Sequence, residues 1–146
     1  MPVDFLIEAG QSVANVPRER EMARLLLVED DPLLAMMIGD WLTEAGVDVV
    51  GPAGRVAEAL ALIESKGEGL DGALLDVSLG RGDSFPVADA LAARGLPFAF
   101  CTGRGASELP SRYAGAPVLG KPFLTRELQQ VVAALLSMSR ANLLRP

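Results

Sequence analysis

Apolar residues fall into two alternating patterns along the chain. Short, nearly continuous runs recur at Leu25-Leu26-Leu27-Val28, Val47 to Val50, Gly72-Ala73-Leu74-Leu75, Phe98-Ala99-Phe100-Cys101 and Ala116 to Leu119. Between the runs, apolar residues return at helical spacing: Leu34, Ile38, Trp41, Leu42 and Ala45, then Val56, Ala59, Leu60 and Ile63, then Val87, Ala88, Leu91 and Ala92, and finally Leu128, Val131, Val132, Leu135 and Leu136. Runs of four or five apolar residues fit strands buried on both faces, as in a parallel sheet. Strands that alternate with helices predict a doubly wound α/β domain: five parallel strands flanked by five helices.

Local signals set the expected boundaries. Asp31-Pro32 supplies an N-cap and a proline at the first helical position, so helix 1 runs from about Pro32 to Ala45, stopped by Gly46. Gly51-Pro52-Ala53-Gly54 and Gly80 to Ser84 read as loops. Lys66-Gly67 and Gly95 end the second and third helices. The Gly-, Ser- and Pro-rich stretch Gly103 to Gly115 leaves helix 4 short or mobile. Thr125 is the expected cap of the last helix. One domain, residues 24–139, is expected, with an N-terminal extension (residues 1–23) and a short tail (residues 140–146).

Composition narrows the chemistry. The chain of 146 residues is half apolar, enough for one sizeable core. Its net charge of −6, with no basic stripe, argues against nucleic-acid binding. No run approaches the roughly 18 apolar residues of a membrane span. Met1 to Glu8 carries Asp4 and Glu8 and no basic stretch, so a secretory signal is not expected and the cytoplasm is the expected location. The single cysteine, Cys101, excludes an internal disulfide and reads as a small buried hydrophobe. The chain has no histidine, which removes Ser-His-Asp and Cys-His catalysis and the usual general base at neutral pH. Chemistry is left to carboxylates, hydroxyls, lysine and a hard metal ion.

Four of the apolar runs end in a polar, charged or glycine-bearing pair. Leu25–Val28 leads to Glu29-Asp30-Asp31, Gly72–Leu75 to Asp76, Phe98–Cys101 to Thr102-Gly103, and Pro117–Gly120 to Lys121-Pro122. In an open parallel sheet, ligands bind beyond the carboxyl ends of the strands. Glu29, Asp30 and Asp76 are therefore expected to share one crevice. At about 4 Å and an effective dielectric near 20, each carboxylate pair repels by roughly 4 kcal/mol. A cation among them relieves this, and all-oxygen ligation suits Mg²⁺. Asp30, Asp76 and the Ser78 backbone carbonyl are the expected direct ligands, with Glu29 acting through water. A carboxylate such as Asp76 can attack phosphorus. Lys121 supplies a positive charge opposite the metal, the Thr102 hydroxyl can donate to a phosphoryl oxygen, and backbone N–H groups near Val77, Ser78 and Gly103 could complete the cradle. No P-loop is present, because Gly120-Lys121 is followed by Pro122. An Asp-nucleophile phosphatase would need a second acid two residues after the nucleophile, where Ser78 stands.

Four stretches together resemble the receiver domain of bacterial two-component response regulators, the CheY-like (flavodoxin-like) fold: Leu27-Val28-Glu29-Asp30-Asp31-Pro32, Leu74-Leu75-Asp76-Val77-Ser78-Leu79, Thr102-Gly103 and Lys121-Pro122-Phe123. The resemblance spans about Arg24 to Met138. It implies that Asp76 accepts a phosphoryl group from a histidine of a partner kinase or phosphotransfer protein. It also implies that Glu29 and Asp30 support Mg²⁺, that Thr102 and Lys121 bind the phosphoryl oxygens, and that the Lys121-Pro122 bond is cis. The chain is then not an enzyme beyond its own Mg²⁺-dependent phosphorylation and slow dephosphorylation. Leu96-Pro97-Phe98-Ala99-Phe100-Cys101-Thr102-Gly103 is similar to the FAT GUY subgroup, often single-domain receivers paired with HWE-type kinases. Such a receiver switches its helix 4–strand 5–helix 5 surface, which can also form a homodimer, or serves as a phosphate sink. In this chain Val118 occupies the usual aromatic switch position, three before the lysine. Arg104 replaces the subgroup's tyrosine after Thr-Gly and is a candidate to read the phosphorylation state, while Tyr113 lies elsewhere.

Overall fold

The computed structural model describes residues 22–105, 107 and 109–143, with backbone alone for 140–143. Residues 1–21 of the expected extension and 144–146 of the expected tail lie outside the described residues. Five parallel strands form the main sheet: β1 (Arg24–Val28), β2 (Asp48–Ala53), β3 (Gly72–Asp76), β4 (Phe98–Thr102) and β5 (Val118–Gly120). Their spatial order is β2-β1-β3-β4-β5. Four α-helices connect or follow them: α1 (Pro32–Glu44), α2 (Val56–Lys66), α3 (Phe85–Ala93) and α4 (Thr125–Leu143).

Side-chain alternation along the strands separates two cores, since successive residues of a strand point to opposite faces. Leu26, Val28, Ala73, Leu75, Phe98 and Phe100 pack with Ala59 and Ile63 of α2 and with Val87, Ala88 and Leu91 of α3. Leu25, Leu27, Leu74, Ala99 and Cys101 pack on the other face with Ile38 and Leu42 of α1 and with Leu128, Val131, Val132 and Leu135 of α4. Every residue of β3 and β4 is buried, which explains why these runs carry no polar interruption before their last residue.

The expected fold holds, with local corrections. Among the described residues there are four α-helices rather than five. Between β4 and β5 the described residues include the 3₁₀ turn Ser111–Tyr113 and no α-helix. Pro110, Gly103, Gly105 and Gly115 leave too few consecutive helix formers for a longer element. The expected loop at Gly51–Ala53 is the end of β2, with Val28 paired to Ala53 across an irregular register. Pro52 is accommodated because β2 is an edge strand, and Gly51 adopts φ +101°. The expected loop at Gly80–Ser84 contains a small antiparallel ribbon, Ser78–Leu79 against Gly82–Asp83, joined by a two-residue turn. Thr125 lies inside α4 instead of capping it: the Leu124 N–H donates to Glu127 Oε1 at 2.7 Å, one half of a capping box. α4 also continues to Leu143, through the start of the expected tail. No helix among the described residues is long and apolar enough to cross a membrane.

Candidate functional site

The five strands run parallel, so their carboxyl ends open on one edge of the sheet. β1 delivers Glu29 and Asp30 there, β3 delivers Asp76, β4 delivers Thr102 and β5 delivers Lys121. The Asp31 side chain is occupied as the N-cap of α1, accepting from Leu33 N–H at 3.0 Å and Leu34 N–H at 3.4 Å. That bond fixes the direction in which the chain leaves β1 and holds the two preceding carboxylates at the strand end.

Glu29, Asp30 and Asp76 each offer a carboxylate oxygen, and these oxygens lie within 4.8 Å of one another. Lys121 faces them. Its ammonium sits 3.1 Å from Asp76 Oδ1 and 3.4 Å from Glu29 Oε1. Partial burial pulls the Lys121 pKa down, but the bond to Asp76 and the charges of Asp76 and Glu29 outweigh it, and the net direction is up. Lys121 therefore stays charged. Glu29 is buried, and burial is the main cause that raises its carboxyl to about 7. The Asp31 N–H, donating to Glu29 Oε2 at 3.1 Å, and the Lys121 charge pull the other way, while Asp76 adds to the rise. Asp30 is exposed, and its Oδ2 accepts from the Gly80 N–H at 2.8 Å. The expected indirect role of Glu29 thus meets a direct ion pair with Lys121.

On the other side of Asp76 lies a cleft of ≈ 260 Å³ lined by Asp76, Val77, Ser78, Thr102, Gly103 and Arg104. Thr102 is buried, and its Oγ accepts from the Arg104 N–H at 3.0 Å. One expected cradle donor is excluded, because the Val77 N–H is committed to the Cys101 carbonyl at 3.0 Å. Ser78 is exposed at the start of the ribbon, with Gly103 and Arg104 across the cleft. Lys121-Pro122 is a cis peptide, as is Gly51-Pro52.

Two contributors escaped the sequence reading. Gly80 ties the ribbon to Asp30, and the turn signal Gly80-Arg81-Gly82 was its available trace. Tyr113 is buried among Phe85, Phe98 and Phe100, with ring centroids 5.3–5.8 Å away. No local pattern announces that packing, because it joins residues from three separate elements.

No family model matches the chain. Solved structures and curated relatives do. SdrG from Sphingomonas melonis Fr1 is 46% identical, over 79% of this chain and 97% of that one, with a TM-score of 0.68. The BeF₃-activated conformation of SdrG from Pseudomonas melonis Fr1 is 47% identical, over 77% of this chain and 95% of that one, with a TM-score of 0.66. The non-phosphorylated receiver domain of HemR from Leptospira biflexa is 30% identical, over 79% of this chain and 94% of that one, with a TM-score of 0.69. The transcriptional regulatory protein PdtaR of Mycobacterium tuberculosis is 31% identical over 131 residues, 87% of this chain and 60% of PdtaR. The chain thus spans about 60% of the length of the curated relatives it matches. With the sheet order and the residues at its carboxyl edge, these likenesses define the class: the chain belongs to the CheY-like receiver domains of two-component response regulators.

Proposed function

We propose that this receiver takes a phosphoryl group onto Asp76 from a phosphohistidine of a partner kinase or phosphotransfer protein, with Mg²⁺ in the acidic nest. The observation that carries the reading is the contact between Lys121 Nζ and Asp76 Oδ1 at 3.1 Å, beside three carboxylates whose oxygens lie within 4.8 Å of one another. An all-oxygen donor set of this size suits Mg²⁺, and Glu29, Asp30, Asp76 and the Ser78 carbonyl would hold it. Bound there, Mg²⁺ supplies positive charge to the nest and a site for one phosphoryl oxygen.

The remaining steps belong to the chain's own residues. An Asp76 carboxylate oxygen attacks phosphorus, the phosphorus–nitrogen bond of the donor breaks, and its electron pair returns to the imidazole. Lys121 leaves Glu29 and Asp76 partly unpaired as it turns to the incoming oxygens, matching charge that spreads over the phosphoryl group in transit. Thr102 turns its hydroxyl toward a phosphoryl oxygen, and the cleft beside Val77 to Arg104 receives the group. The lack of histidine in this chain fits a donor supplied by a partner. An apolar face on α1, with Leu33 62%, Met36 56% and Met37 58% exposed, starts three residues after Asp30 and suits a protein partner. The chain turns over no small-molecule substrate in this reading; it is phosphorylated and slowly loses the group to water.

Phosphotransfer from candidate kinases tests the proposal. Wild type is expected to take label in Mg²⁺, and to lose it with chelator or in Asp76→Asn. Undiminished labelling of Asp76→Asn would overturn the assignment.

A further inference from the structure

The described arginines divide by place. Arg24 at the start of β1, Arg94 after α3 and Arg112 on the 3₁₀ turn pair with Asp48, Glu64 and Asp89. Arg55, Arg81, Arg104 and Arg126 are exposed and have no ion pair among the described residues. All four lie at the carboxyl edge of the sheet. Arg55 follows β2, and Gly54 before it packs on the nest: a Cβ added there would stand 3.7 Å from the Asp30 Cα. Arg81 follows Gly80, whose N–H binds Asp30. Arg104 lines the cleft beside Asp76. Arg126 lies in the first turn of α4, just after β5 and Lys121.

Carboxylates are plentiful at this edge, so the lack of ion pairs has a cause: the carboxylates are already held. Glu58 accepts from the Gly54 N–H at 3.0 Å, Asp83 from the Phe85 N–H at 3.0 Å and Glu127 from the Leu124 N–H at 2.7 Å. Asp30 and Asp31 also accept from backbone N–H groups, and Lys121 holds Glu29 and Asp76. Nor do the helices gain from these cations. Arg55 is the N-cap of α2 and Arg126 stands in the first turn of α4, where the helix dipole disfavours positive charge. Four arginines thus face solvent around the phosphoacceptor with no structural task.

We infer that Arg55, Arg81, Arg104 and Arg126 form a docking rim for an acidic protein surface, the one that carries the donor phosphohistidine. The inference rests on Asp76 being the phosphoacceptor and adds the chemistry of its partner. Arginine presents a planar fork of donors that matches carboxylates. Width selects a protein over a small phosphodonor: adjacent strands lie about 4.8 Å apart, and β2 and β5 are the outermost of five, so the rim spans roughly 19 Å. The exposed Leu33, Met36 and Met37 of α1 adjoin it, and both Arg and Met are enriched in protein interfaces. In a chain of net charge −6, the rim also turns an acidic partner toward the edge that holds Asp76.

The test compares two kinds of donor in Mg²⁺. One is phosphoramidate, a small molecule with a phosphorus–nitrogen bond. The other is a panel of autophosphorylated histidine kinases and phosphorylated phosphotransfer proteins. The variant combines Arg55→Gln, Arg81→Gln and Arg126→Gln, all exposed. Arg104 is kept because it lines the cleft. Labelling by the protein donor is expected to slow on the order of 10-fold or more at low salt. The decline of the wild-type rate with added salt should flatten in the variant, and labelling by phosphoramidate should be unchanged. An unchanged rate and salt slope with the protein donor overturn the rim and leave the phosphoacceptor reading intact. Equal loss with both donors means that the arginines act on the phosphoryl group or the fold, and overturns the rim as well. So does label from phosphoramidate with none from any protein donor. No label from any donor in the wild type overturns both readings.

Discussion

At the scale of single residues, the site is a problem of uncompensated charge. Glu29 and Asp76 share one ammonium, and Lys121 is their closest cation among the described residues. Lys121→Met is expected to destabilise the metal-free protein by about 2 kcal/mol, less than a fully buried pair because the lysine is partly exposed. Urea unfolding measures it, and in an Asp76→Asn background the cost should fall by at least half. Glu29 gives a pH signature. Its folded pKa, about 7, lies above the ordinary 4.5, so the folded state holds a proton that the unfolded chain has released. The stability of the metal-free protein should therefore decline as pH rises from about 4.5 to 7 and then level off. Glu29→Gln should flatten that slope. Which residues end four of the strands was readable from the sequence, because four of the five apolar runs lead into a polar or charged residue. The lysine–glutamate contact was not, since it joins residues 92 apart whose side-chain directions depend on the finished sheet.

At the scale of elements, the apolar runs and the helical spacings predicted the five strands and four of the helices. The errors fell where backbone geometry, not hydrophobicity, decides. Gly51-Pro52 carries turn residues, yet it continues an edge strand. Gly51 there has φ +101°, and a Cβ would come within 2.8 Å of the Leu27 carbonyl oxygen and 2.9 Å of the Ala53 nitrogen. Gly51→Ala is expected to cost about 2–3 kcal/mol through strain at that position. Gly46→Ala should cost less: it too has positive φ, but nothing lies within 4 Å of its added Cβ. Chemical denaturation of the two variants side by side checks the order. The ribbon at Ser78–Asp83 was hidden for a related reason, because two-residue strands are too short to show alternation.

At the scale of the whole molecule, fold and site are coupled through the acidic nest. Mg²⁺ that binds the folded chain and not the unfolded one stabilises it by mass action. At ten times its dissociation constant the gain is about 1.4 kcal/mol. A rise in melting temperature with Mg²⁺, lost in Asp30→Asn with Asp76→Asn, is the expected thermal-scan result. No rise in the wild type would count against a metal site there. The class of the molecule was legible because four strand ends bear acidic, hydroxyl and lysine side chains in chain order. That the described residues between β4 and β5 hold no α-helix was foreshadowed only as a weak segment, and the aromatic cage around the Ser111–Tyr113 turn depends on contacts across the fold.

The two margins of the sheet are poor templates for a further strand. The last three residues of β2 include a glycine at positive φ and a proline without an amide hydrogen, and β5 is three residues long. Growth of the sheet by lateral strand addition is thereby discouraged.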